Sequence, residues 1–174
     1  MTTTHSIRRL KPDDAELWAA LRREALEAHP LAFSASVPDD LPDWIQSIRA
    51  RLSSSDDESA VFGAFTGVSL IGIVGVVRKT GKKERHKSLI WGMYVTAEFR
   101  QSGVGEQLLR TAIDHARSWA GVEQVQLAVS EVAADAKRLY ERIGFREWGR
   151  EPRALSVQGR CVDESHMILD LRGA

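Results

Sequence analysis

The residues of this chain with the clearest chemical potential are Arg100-Gln101-Ser102-Gly103-Val104-Gly105. Upstream, Leu89-Ile90-Trp91-Gly92-Met93-Tyr94-Val95 has strand character. Downstream, Val104, Leu108, Leu109, Ala112, Ile113 and Ala116 recur at helical spacing, so the glycines stand where a helix begins. A helix start offers unpaired N–H groups and the positive end of the helix dipole, which suits an anion. Two glycines let a phosphate approach without a Cβ in its way. The chemistry this predicts is a pyrophosphate cradle. Two better-known phosphate patterns fail here. A P-loop carries Lys and then Ser or Thr after its last glycine, and Glu106-Gln107 stands there instead. A dinucleotide fingerprint needs a third glycine at the position of Leu108. What fits is Arg/Gln-x-x-Gly-x-Gly/Ala between a strand and a helix, a pattern that a ligand-free strand–helix turn also satisfies.

The elements that would position this turn follow in order. Ile7 to Leu10 reads as a first strand. Pro12-Asp13-Asp14 opens a helix with Leu17, Leu21, Ala25 and Ala28 on one face, and Pro30 stops it. Leu31 to Leu41 lacks periodicity and reads as a loop. A second helix starts at Pro42, with Trp44, Ile45, Ile48 and Leu52 as its stripe, and ends in the polar turn Ser53 to Asp57. Ala60 to Phe65 and Leu70 to Val77 are strands joined around Gly67. A basic connection, Arg78 to Lys87, leads to the fourth strand, Leu89 to Val95, and to the helix from Gly103 to about Trp119. Val125, Leu127 and Val129 alternate with Gln124, Gln126 and Ala128 as a fifth strand. A helix from about Ala134 to Ile143 presents Ala136, Leu139, Tyr140 and Ile143, and Gly144 supplies its left-handed cap. Phe145 to Trp148 and His166 to Leu171 complete the strands, with Gln158-Gly159 as a tight turn between them and Arg150-Glu151-Pro152-Arg153 as a charged turn. One α/β domain with a mixed sheet is expected over residues 5–174.

Composition sets the bounds. The 174 residues carry 24 Lys+Arg against 24 Asp+Glu, so no global basic field argues for nucleic acid. Cys161 is the sole cysteine, which excludes an internal disulfide and fits a reducing, cytoplasmic setting. The longest mostly apolar stretch, Val68 to Val77, is too short for a membrane helix. No membrane partner and no metal are expected.

The glycine turn, its spacing to Leu127-Ala128-Val129, and then Ala136, Leu139-Tyr140 and Gly144-Phe145 together resemble the GNAT superfamily of acetyl-CoA-dependent N-acetyltransferases. The resemblance covers the element order over most of the chain, and its specific part runs from about Leu89 to Phe145. It implies a mostly antiparallel seven-stranded sheet flanked by about four helices, splayed between the fourth and fifth strands. It further implies acetyl-CoA as cofactor, with the pyrophosphate on the backbone N–H groups of Gln101, Ser102, Gly103, Val104, Gly105 and Glu106, and Arg100 beside it. Met93, Tyr94 and Val95 would pair with the pantetheine, and Ser130, Ala133, Ala136 and Tyr140 would line the cofactor's far side. Tyr140 matches the family's general acid: a phenol near the sulfur protonates the leaving thiolate. On helical position alone it is equally a half-buried core tyrosine. The implied reaction is direct attack by a primary amine through a tetrahedral intermediate, since Cys161 has no nucleophile's context.

Two positions depart from the family pattern. Ala133 stands where many members have an Asn that binds the cofactor, so Ser130 or water must substitute or binding weakens by about 1 kcal/mol. Leu89 stands where histone-type members place a Glu base. Glu84 or His86, just before the strand, are the substitutes considered for that base, with a water relay as the alternative. Asp163, Glu164 and His166 cluster before the last strand and, with Phe33 and Trp44, are candidates for the acceptor side. Each of these also has an ordinary surface or core reading. The run Lys79 to Lys87 reads first as a solvated loop. The acceptor is an amine of unknown identity, and a homodimer is an expectation borrowed from the family. A non-catalytic acyl-CoA sensor is the competing function.

Overall fold

The computed structural model describes residues 5–37, 41–53 and 58–173. The loop residues Pro38, Asp39 and Asp40 and most of the polar turn, residues 54–57, lie outside them, as does the side chain of Leu41. The order is β1 (Ser6–Arg9), α1 (Ala15–Ala28), α2 (Leu41–Ser53), β2 (Ser59–Thr66), β3 (Ser69–Arg78), β4 (Lys87–Val95), α3 (Val104–Arg117), β5 (Gln124–Ser130), α4 (Ala134–Ile143), β6 (Arg146–Val157) and β7 (Arg160–Asp170). Seven strands form one sheet in the order β1-β2-β3-β4-β5-β7-β6. Every pairing is antiparallel except β4 with β5.

Two apolar layers hold the sheet. On one face α3 buries Val104, Leu108, Leu109, Ala112, Ile113 and Ala116 against β2 to β5, with Tyr140 and Phe145 closing the same layer. On the other face Trp18, Leu21, Ala25 and Ile48 of α1 and α2 cover Val61, Ile73 and Tyr94. The alternation along each strand delivers one set of side chains to each layer. That is why Met93 and Tyr94, neighbours on β4, belong to different layers.

The parallel pair is the feature that shapes the molecule. Lys87, Ser88 and Leu89 pair with Gln124, Val125 and Gln126, and the ladder then stops although both strands continue. From Ile90 onward β4 stays with β3 while β5 stays with β7, so a slot opens between them. A β-bulge sharpens the divergence: Tyr94 and Trp91 face Ile73 and Gly75, and Gly92 at φ +63° takes up the extra residue.

The carboxyl end of the chain departs from the sequence expectation. Arg150 to Arg153 is not a turn; β6 runs unbroken from Arg146 to Val157 and pairs with β7 as one long hairpin closed at Gln158-Gly159. A register shift between Glu151 and Leu155, with Arg153 at φ +55°, absorbs Pro152. Proline is tolerated on an edge strand at a bulge because no ladder N–H is required there.

Candidate active site

The slot between β4 and β5 brings together the glycine turn, Met93, Ser130 and Tyr140, but not Arg100 or the Tyr94 ring. Gly103 caps α3 at φ +87°, a conformation that favours glycine, and Gln101 two residues earlier sits at φ +60°. The first N–H of the helix to reach a helical carbonyl is that of Gln107, on Gly103 at 3.1 Å. The amides of Val104, Gly105 and Glu106 therefore point out of the helix start, as an anion site requires. A Cβ on Gly103 would meet no heavy atom closer than 4.0 Å, so the space in front of the turn is open. Gly105 is tighter, with Met93 Cε at 3.4 Å and Leu139 Cδ2 at 3.5 Å from an added Cβ. Ser102 turns its hydroxyl inward to the Phe99 carbonyl at 2.6 Å, which stabilises the turn.

Arg100 does not extend in front of the turn. Its Nε donates to the Val95 carbonyl at 3.1 Å, its Nη2 lies 2.9 Å from His29, and the guanidinium stands over Tyr94. Desolvation, then the charge of Arg100, lowers the pKa of His29. Tyr94 is buried beneath them and donates its hydroxyl to Glu24 at 2.8 Å.

Tyr140 crosses the slot from the opposite side. It is 7 % exposed, its hydroxyl meets Met93 Sδ at 3.7 Å, and Phe145 packs edge-on against the ring. Burial with no charged partner pushes the phenol up to about 12, so it is protonated at neutral pH. Two further hydroxyls mark the open end. Ser130 Oγ at the end of β5 and Thr96 Oγ1 just past β4 are buried with no hydrogen-bond partner among the described residues. Orphaned hydroxyls at a slot flanked by helix-start amides fit a long polar thread such as pantetheine between the strands. Ala133 occupies the N-cap of α4, where no side chain caps the helix, and its N–H donates to the Ser130 carbonyl at 2.9 Å. Ala136 is half-buried one turn before Tyr140.

The candidates for the base fall in different places. Glu84 and His86 lie beyond the start of β4, at its closed end, and six residues of strand separate His86 from Met93. That spacing is roughly 20 Å, so neither side chain shares the slot with Tyr140. Glu84 instead faces Lys87 at 3.8 Å, and Arg78 and Arg85 of the basic connection pair with Glu58. Asp163 is taken up by Arg150 Nε and the Arg153 N–H, each at 2.8 Å. His166 meets Glu151 at 3.1 Å and packs on Trp148. Glu164 is different: it lies opposite Ser130 in the β5–β7 register, and its carboxylate has no hydrogen-bond or ion-pair partner among the described residues. Burial pushes its carboxyl pKa up, His166 lowers it and Glu151 raises it. Sequence reading placed Glu164 in the cluster without singling it out, because register is what separates it from Asp163.

On the α1–α2 side, Phe33 and Trp44 pack against the same layer as Trp91. They lie beside an open cleft of about 190 Å³ lined by Trp18, Arg22, Trp44, Arg51 and Trp91. Among the described residues, no group of His, Cys, Asp and Glu could hold a metal, and no helix is long and apolar enough to cross a membrane.

Comparison with known proteins agrees with this geometry. The model of the acetyltransferase (GNAT) family matches residues 18–145. Mycothiol acetyltransferase of Thermobispora bispora is 31% identical over 138 residues, covering 78% of this chain and 44% of that protein. Human N-acetyltransferase 8 is 28% identical over 97 residues, covering 55% of this chain and 42% of that protein. The chain thus spans less than half the length of these two relatives. A GNAT-family acetyltransferase structure from Streptococcus pneumoniae superposes with TM-score 0.81 at 25% identity, covering 96% of this chain and 99% of that one. The yncA protein of Salmonella typhimurium, solved with its cofactor acetyl-CoA, superposes with TM-score 0.81 at 19% identity, covering 98% and 95%. With the family model spanning the glycine turn, the slot and Tyr140, the chain belongs to the acetyltransferase (GNAT) family.

Proposed function

We propose that this protein transfers the acetyl group of acetyl-CoA directly to a primary amine, acting as one domain over residues 5–174 in a reducing, cytoplasmic compartment. The observation that carries the reading is the Tyr140 hydroxyl, buried and protonated, reaching Met93 across a slot whose mouth is a glycine-capped helix start. The amides from Gln101 to Glu106 hold the pyrophosphate, and Ser130 and Thr96 offer their free hydroxyls to the pantetheine in place of the family's Asn at Ala133. Met93 to Val95 supply strand backbone to the same thread, and an N–H freed by the bulge at Gly92 meets the developing oxyanion.

The acceptor nitrogen adds to the acetyl carbon to give a tetrahedral oxyanion, whose collapse breaks the carbon–sulfur bond. Tyr140 gives its proton to the departing thiolate. The proton that leaves the amine goes to Glu164, whose carboxyl has no ion-pair partner and is made more basic by partial burial. Phe33 and Trp44 belong to the acceptor's wall. The reading includes a homodimer, which light scattering of the purified protein checks.

Incubation of the protein with acetyl-CoA and a panel of amines, following free thiol, tests the proposal. Acceptor-dependent release with acetylated product is the expected result. Acetyl-CoA binding without such release from any amine would instead identify a non-catalytic sensor.

A further inference from the structure

The cleft between α1, α2 and β4 holds more positive charge than its own walls neutralise. Arg22 lies over the Phe33 ring at 5.0 Å and beside Gly92, where an added Cβ would stand 3.4 Å from Nη1. That Nη1 is buried with no acceptor among the described residues. One turn earlier, Trp18 is 4 % exposed and its indole N–H also lacks an acceptor. Arg51 adds a second guanidinium over Trp91 at 5.0 Å, facing the same cleft. No ion pair joins Arg22 or Arg51 to a carboxylate among the described residues, so two like charges share one concavity unrelieved. Leaving a charged donor buried and unpaired is destabilising, and Met or Leu at position 22 would pack the same layer without that cost. The arrangement makes sense when a ligand brings the missing acceptor.

We propose that this cleft receives a compact oxyanion, foremost a carboxylate, carried by the acetyl acceptor itself, so that the acceptor is a small amine bearing an acidic group. The inference rests on the transferase reading above. A guanidinium fork matches a carboxylate through two parallel hydrogen bonds, and the Trp18 N–H supplies a further donor. Trp44 and Trp91 cover the apolar body that joins the two ends. Arg22 abuts Gly92, the residue before Met93, so the anion is held within a small molecule's length of the slot. At about 190 Å³ the cleft is smaller than pockets for drug-sized ligands, which favours a compound of amino-acid size.

Matched acceptors test this: α-amino acids of graded side-chain size, their carboxamides, and the corresponding aminophosphonates, each at saturating acetyl-CoA. The less basic amine of a carboxamide biases the comparison against the proposal. The acids are expected to exceed their amides about ten- to hundredfold in kcat/KM. In Arg22→Gln that ratio collapses toward one through KM, and Arg22→Lys keeps part of it. A phosphonate preference with the same Arg22 dependence would identify the oxyanion as phosphonate-like rather than carboxylate. Equal rates for acids and amides, or a ratio untouched in Arg22→Gln, would overturn the proposal. Indole fluorescence gives a readout without turnover, because three tryptophans line the cleft. Acids should titrate the wild type at least tenfold more tightly than Arg22→Gln, and failure of every acid to bind through Arg22 also overturns it. Arg22-dependent binding without thiol release would keep the anion site and reject the transferase reading. Thiol release without acid preference would do the reverse.

Discussion

Tyr140 holds its proton throughout the neutral range, because burial without a charged partner pushes the phenol to about 12. Such a phenol keeps its proton in the resting site and can give it up only to the developing thiolate, a stronger base than water. Tyr140→Phe should lower kcat about 100-fold while acetyl-CoA affinity, read by calorimetry, changes less than threefold. The same shift predicts alkaline instability. The native state keeps this proton between about pH 10, the unfolded value, and about pH 12, so stability is full below that window and falls with rising pH across it. Wild type should therefore lose stability relative to Tyr140→Phe as pH rises above 10, because the variant has no phenol to ionise on unfolding. If Glu164 is the base, it sets the acidic side: its carboxyl is raised from 4.5, chiefly by burial, so kcat/KM should climb with pH as that carboxyl ionises. Glu164→Gln should remove that limb, and an unchanged profile would pass the role to a water relay. Residue types pointed to the glycine turn, and the family resemblance to Tyr140 as the acid; neither could show the partnerless Glu164 carboxyl or the unpaired state of Arg22, which depend on strand register and on which neighbours fold against them.

At the scale of elements, α3 and α4 present their N-termini at the slot for reasons of different legibility. The α3 start was visible in the sequence because Gly103 and Gly105 interrupt a strand pattern just before a strong helical stripe, and the structure places Gly103 in the left-handed region at φ +87°. Gly103→Val strains that position and fills the open space before the turn, so acetyl-CoA binding should be lost; unchanged affinity would refute the cradle. The start of α4 is less optimised. Ala133 at its N-cap provides no side-chain acceptor, so Ala133→Asn should stabilise the protein by about 1 kcal/mol in chemical denaturation and tighten acetyl-CoA binding together. The bases considered at Glu84 and His86 show what chain order conceals. They precede the right strand, but β4 is longer than its apolar core suggests, beginning at Lys87, and it carries them to the closed end of the slot. The extension of β6 through Arg150 to Arg153 was hidden for another reason. An exposed edge strand carries few apolar residues, and its bulge breaks the two-residue period that reveals a strand.

For the whole molecule, the order of all seven strands and four helices followed from hydrophobic periodicity, while the splay between β4 and β5 came from family likeness and is seen in the ladder that ends at Leu89. At the β1 edge of the sheet, Asp14 is 7 % exposed and accepts both Arg8 nitrogens and the Lys11 N–H at 2.7 Å. The Arg8 hydrogen bonds foremost hold its carboxyl below 3.8. A depressed carboxyl contributes stability above its unfolded value and loses it as pH falls through the folded one, so this contribution fades below about pH 4. Asp14→Ala should cost about 1 kcal/mol at pH 7, allowing for the half-exposed Arg8, with the difference from wild type shrinking in acid. The central claim is that the folded slot is a working acetyltransferase and not a cofactor sensor. Its most direct test is acceptor-dependent thiol release from acetyl-CoA, measured in wild type and Tyr140→Phe alongside acetyl-CoA affinity in the same samples. Amine-dependent release by the wild type, and about 100-fold slower release by the variant at equal affinity, are the expected results. Full activity in Tyr140→Phe, or tight acetyl-CoA binding with no amine-dependent release by the wild type, would contradict the claim.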